Sequence, residues 1–121
     1  MATMKVNESF LFAKEAAADL TGALYKLVKM DNDGNIALAV LGEKALGAVY
    51  EVCLQATAPF GPVTVQFAGI AKVIAGGALA AGTRVGPDAA SKLVAASTNT
   101  TGITIEAAGA SGDIVGVALI G

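Results

Sequence analysis

The 121-residue chain carries eight basic and ten acidic side chains, a net charge of −2, and no histidine. Charged residues make up 15% of it, against about 25% in ordinary soluble domains, while 55% are apolar. This length suits one compact domain. The cations (Lys5, Lys14, Lys26, Lys29, Lys44, Lys72, Arg84 and Lys92) are scattered singly, so no basic stripe is present and nucleic acid is excluded as the expected partner.

Residues 1–20 differ from the rest. They hold five of the eighteen charges and two of the four Phe residues, and contain no Gly. From Ser9 to Leu20 the text reads as a helix, with Ser9 as N-cap and Gly22 as terminator, or as an extended arm that orders against a partner. Both readings stay open, and residues 21–121 form one β domain on either. The cluster Phe10, Leu11, Phe12 is too short for a signal peptide and runs into Lys14-Glu15.

From Gly22 onward short strands alternate with turn signals. Leu24 to Met30 is a strand that ends at Asp31-Asn32-Asp33-Gly34-Asn35, a strong hairpin turn because these residues tolerate left-handed backbone. Ile36 to Leu41 returns, and Ala45 to Leu54 is the next strand. Pro59-Phe60-Gly61-Pro62 makes a loop before Val63-Thr64-Val65-Gln66-Phe67, whose alternation predicts a half-buried strand. Ile70 to Ala75 continues after a bend at Gly69. Val85, Leu93 to Ala96, Thr101 to Ala107 and Ile114 to Ile120 complete an all-β set, spaced as in a small β-barrel or tulip-like sandwich.

One internal echo is present. Val28-x-x-Asp31-x-x-Gly34-x-Ile36-Ala37-Leu38-Ala39 recurs as Val85-x-x-Asp88-x-x-Ser91-x-Leu93-Val94-Ala95-Ala96. A single echo is too few for a solenoid and reads as two similar hairpins.

Chemistry is hard to place. Without histidine the chain lacks the commonest general base and metal ligand, and Ser-His or Cys-His activation is impossible. Cys53, the single cysteine, stands between Val52 and Leu54 as a buried strand thiol, and can form no intrachain disulfide. A calcium loop at Asp33-Gly34 fails, because it would put Lys29 at position one and Val40 at position twelve. Glu43, Glu51, Asp88, Glu106 and Asp113 are separated, and Glu106 reads as a solvent-facing or interface residue rather than a catalytic one. Gly76-Gly77 and Ala81-Gly82 match no phosphate loop. Tyr25, Tyr50, Phe60 and Phe67 are too few for a stacking platform once the core takes its share. The longest apolar candidate, Val73 to Gly82, falls short of the roughly 18 residues a membrane span takes. The expectation is therefore no catalysis, no cofactor, no metal and no membrane, in a subunit partly covered by other proteins.

The residues resemble a family. Asp19-Leu20 ahead of Tyr25 and Val28-Lys29 begin the pattern, followed by Leu46-Gly47-Ala48-Val49, Val63-Thr64-Val65 and Gly69-Ile70-Ala71-Lys72-Val73-Ile74-Ala75-Gly76. Ala80-Ala81-Gly82 with Val85 and Asp88 comes next, then Glu106-Ala107-Ala108 and Gly112-Asp113-Ile114-Val115. In order and spacing these are similar to the capsid cement (head decoration) proteins of tailed bacteriophages. Ser91 departs from the pattern, where such turns often have Gly, and residues 1–18 match nothing in it.

The resemblance implies a β-barrel or tulip-like domain and a homotrimer. It implies a place on the outside of a phage head, between major capsid proteins, for a protein made in the host cytoplasm. It also implies shell contacts from the arm, with Lys5, Val6, Asn7, Phe10, Leu11 and Phe12 as candidates. Two other classes remain beside it: another phage assembly component, such as a fibre base or tail subunit, and a small ligand-binding β module.

Overall fold

A computed structural model of the chain describes residues 10–52 and 55–120. They form ten strands: β1 (Leu11–Glu15), β2 (Leu27–Met30), β3 (Ile36–Leu38), β4 (Gly47–Glu51), β5 (Pro62–Gln66), β6 (Gly69–Ile74), β7 (Arg84–Pro87), β8 (Leu93–Ala95), β9 (Gly102–Thr104) and β10 (Ile114–Leu119). Every strand pair is antiparallel. The fold is all-β and sandwich-like, and no helix occurs among the described residues.

Each turn forms where its residues allow it. Asp31 Oδ1 accepts the N–H groups of Asp33 and Asn35, both at 2.9 Å, and Gly34 takes the left-handed conformation at φ 81°. Helix propensity in the first segment is overridden. Leu11–Glu15 is a strand, paired with β5 from Leu11 opposite Gln66 to Glu15 opposite Pro62. A ladder of backbone bonds and the half-buried Phe12, whose ring centroid lies 5.6 Å from that of Phe67, outweigh an Ala-rich local preference. This corrects the helical alternative over these residues.

The sheets contain five strands each, in the orders β1-β5-β4-β2-β3 and β6-β10-β9-β7-β8. Adding five to every strand number of the first gives the second, so the chain is a tandem of two units with one topology. Hydrogen bonds repeat as well. Tyr25 N–H donates to the Val49 carbonyl as Gly82 N–H does to that of Thr104. Leu46 to Val28 is matched by Thr101 to Val85, and Ala17 to Ile36 by Gly76 to Leu93. The hairpin echo in the sequence is thus one visible part of a repeat that runs through the whole described chain. Neither sheet closes into a barrel. In each, one parallel bridge joins the end of the first strand to the start of the third, Ala16 to Ile36 and Ala75 to Leu93.

Each unit has its own core. Val28, Ile36, Val63 and Val65 fill the first, and their counterparts Val85, Leu93, Val115 and Val117 fill the second. Leu27, Ala39, Ala45 and Ala48, on the other face of the first sheet, join the second cluster and bind the halves together. Leu27 is 0% exposed, and full burial of such a side chain contributes about 1.5–3 kcal/mol.

The repeat exposes strained positions where a side chain stands in the place of a left-handed glycine, Tyr25 for Gly82, Asn99 for Gly42 and Ser91 for Gly34. Ser91 occupies the place of Gly34, at φ 66°, and its buried hydroxyl has no hydrogen-bond partner. Left-handed backbone costs a residue with a Cβ about 1–2 kcal/mol, and a buried unpaired hydroxyl adds to that. Ser91→Gly is therefore expected to stabilise the fold by about 1 kcal/mol after the entropy of the more flexible unfolded chain is subtracted. A melting curve displaced upward by a few degrees would bear this out. An unchanged or lowered midpoint would not.

Candidate functional site

The surface holds a strip of large apolar side chains. Tyr50, Ile70, Ile105 and Ile114 are 50%, 61%, 51% and 50% exposed, values that soluble β faces normally reserve for polar residues. Strand alternation explains their placement. On β6, Ala71 and Val73 point inward, which turns Ile70 and Lys72 outward. On β10, Val115 and Val117 are buried, which turns Ile114 and Gly116 to the same outer face. Gly116 shapes the strip, because a Cβ there would lie 2.8 Å from Ile105 Cδ1 and 3.5 Å from Ile70 Cγ2. Its bare backbone lets the two isoleucines close over β10.

Polar groups frame the strip without building a reactive centre. Glu106 is exposed just beyond β9 and its Oε1 accepts the Gly116 N–H at 2.8 Å. Lys72 and Gln66 line the crevice between Tyr25, Tyr50 and Ile70. Elsewhere, the Lys29 ammonium pairs with Glu43, whose other oxygen accepts the Val40 N–H at 2.9 Å. The Lys29 contact, then the Val40 bond, hold the Glu43 carboxyl below its ordinary value. Asp19 is lowered by the hydroxyl and then the N–H of Thr21. Both carboxylates brace loops. Among the described residues no three His, Cys, Asp or Glu side chains converge in a metal-binding group.

The fold has a match among solved structures. The crystal structure of the head fibre gp8.5 N base of bacteriophage phi29 superposes with a TM-score of 0.61. The match covers 90% of this chain and 92% of that one, at 18% identity, and so establishes a shared fold. No protein-family model matches the sequence, and a comparison with curated proteins finds no match.

The candidate contact residues separate in the structure. Lys5, Val6 and Asn7 lie outside the described residues, as does Cys53. Phe10 and Leu11 line a shallow groove with Tyr50, Gln66, Gly69 and Ile70, at one end of the apolar strip. Phe12 instead packs against the first core. The residues that sequence reasoning missed are Ile70, Ile105 and Ile114. One signal was available: Ile70 is in phase with Lys72 on a strand whose other face is Ala71, Val73 and Ala75, which marks it as outward-facing.

Proposed function

We propose that this chain is a structural subunit of a phage virion that sits on the outside of the head, binds between major capsid proteins and stabilises the shell. The observation that carries this reading is the likeness of its fold, over nearly the whole chain, to the base of a phage head fibre. The ordered resemblance to cement proteins points the same way, and the exposed strip from Tyr50 to Ile114 supplies apolar surface suited to a protein partner. The chain works by binding rather than by catalysis and takes no cofactor. As a homotrimer it would engage several capsid subunits at once, so that weak individual contacts add by avidity. Preferential binding to the assembled shell stabilises that state by mass action.

A second reading, the base of a head fibre, is favoured by the matching structure, itself the N base of a phage head fibre. Both readings place the protein on the head, and they differ in what it does to the shell. Purified chain would be co-sedimented with emptied, undecorated heads of the phage whose genome encodes it, and the heads then heated. Saturable binding with a raised disruption temperature supports cementing. Saturable binding with no change in disruption temperature supports the fibre base. Absence of binding removes both.

A further inference from the structure

The two units meet at a seam that uses a different surface of each. On the first, the outer face of β2 and β4 is covered by β6 and the β7–β8 turn of the second. Two backbone bonds fix the arrangement: Leu27 N–H to the Ser91 carbonyl at 2.8 Å, and Ile74 N–H to the Tyr25 carbonyl at 3.0 Å. Under the repeat, their reverses would run from Arg84 N–H to the Gly34 carbonyl and from Glu15 N–H to the Gly82 carbonyl. Among the described residues neither is made, so a two-fold axis does not relate the halves.

At another point counterparts do touch. Asn99, which stands where Gly42 does in the first unit, donates to the Gly42 carbonyl at 2.8 Å, and both residues have positive φ. Contact between equivalent positions marks a rotation axis passing close by. A rotation other than a two-fold cannot close on two units. It leaves one unused surface at each end, and repeating it generates further contacts of the same kind.

Those unused surfaces are identifiable. Leu27, Ala39, Ala45 and Ala48 are buried by the internal seam, whereas their counterparts Arg84, Ala96, Thr100 and Ile103 are exposed or half-buried. At the opposite end lie β1 and the turn at residues 31–34, the counterparts of β6 and the turn at residues 88–91. We propose that a second copy of this chain docks here, its β1 and 31–34 turn seated on the outer face of β7 and β9, so that copies join head to tail by repeating the internal seam.

Charge supports this occupant. The turn whose Ser91 carbonyl accepts the Leu27 N–H carries the exposed pair Ala89-Ala90, and its counterpart carries Asn32-Asp33. The residue awaiting that second turn is Arg84. The uncharged pair Leu27 and Ala90 of the internal seam thus has the base Arg84 and the acid Asp33 as its counterparts on the two unused surfaces. Lys14 in the place of Val73 makes the second seam more polar again, as suits surfaces that must also be soluble apart. The inference deepens the self-association in the reading above and is independent of any capsid.

The test is a charge swap, read by light scattering and sedimentation velocity on the full chain. The native protein should show a mass that is a whole multiple, above one, of 11.9 kDa. Arg84→Glu and Asp33→Arg should each weaken self-association by roughly tenfold or more, by setting like charges against each other. The double variant should restore it. Both residues are exposed, so a far-UV circular dichroism spectrum like that of the native chain verifies that the variants fold. A native chain that stays monomeric, an oligomer indifferent to Arg84→Glu, or a double variant that fails to recover would each overturn the proposal. Head binding is measured separately. Rings that ignore heads would remove the functional reading and keep the seam, and head binding by a monomer would do the reverse.

Discussion

Gly47→Ala is expected to cost about 3 kcal/mol, a large part of the stability of a domain this size. Alanine is ordinarily the better residue in a strand by about 0.5–1 kcal/mol, so propensity alone predicts a gain. Space reverses the sign. A Cβ on Gly47 would lie 2.1 Å from the Gln66 carbonyl oxygen and 3.0 Å from the Phe67 Cα, and both are backbone atoms, the first held by the ladder between β4 and β5. The counterpart Gly102 is in the same position, with the Ala118 carbonyl oxygen 2.4 Å from its would-be Cβ. Gly102→Ala should therefore fail in the same way and by a similar amount. Gly22→Ala is the control: nothing lies within 4 Å of its would-be Cβ. Thermal and urea unfolding would measure all three. A melting point for Gly47→Ala near that of the native protein would mean that β4 and β5 are not packed as described.

The second large effect concerns binding rather than folding. Changing both Ile70 and Ile114 to Asp should remove head binding and leave the melting temperature within a few degrees. Each side chain is at least half exposed, so the folded state loses little packing. Bound against a partner, the same positions would bury two carboxylates without counter-charge, which costs several kcal/mol. Co-sedimentation with undecorated heads should then fall by a factor of a hundred or more, on the order of two decades for about 3 kcal/mol. If the double variant binds as well as the native chain, the strip is not the shell-facing surface and the groove beside Phe10 and Leu11 becomes the next candidate.

Much of the architecture was legible in the residues. The 31–35 turn, the alternation of Val63 to Phe67 and the apolar run at Ile114 to Ile120 each predict an element that the structure contains. The hairpin echo held the larger repeat in miniature. It was readable there because Asp31 and Asp88 both cap their turns, accepting N–H groups two and four residues on. Outside the hairpins the spacing between counterparts drifts, from 59 residues at Ala16 and Ala75 to 52 at Val63 and Val115, so no single period runs through the text. Backbone pairing survives such drift while side chains diverge, as with Tyr50 and Ile105. β1 was obscured for another reason: it opens the Ala-rich stretch from Ser9 to Leu20, which favours a helix, and only pairing with β5, some fifty residues away, decides for a strand. Sheet closure was not legible either, because it depends on stagger and tilt between strands rather than on composition. As for the apolar strip, the alternation on β6 contained it, but an outward isoleucine is recognisable only once the inward face is known.

We propose a place for this duplicated β protein on the surface of a phage head. Electron cryomicroscopy of undecorated heads, imaged with and without saturating protein, tests it most directly. Added density is expected on the outer surface between neighbouring capsid subunits, into which the two five-stranded sheets fit with Ile70 and Ile114 against the shell. Heads that remain bare at saturation would contradict it.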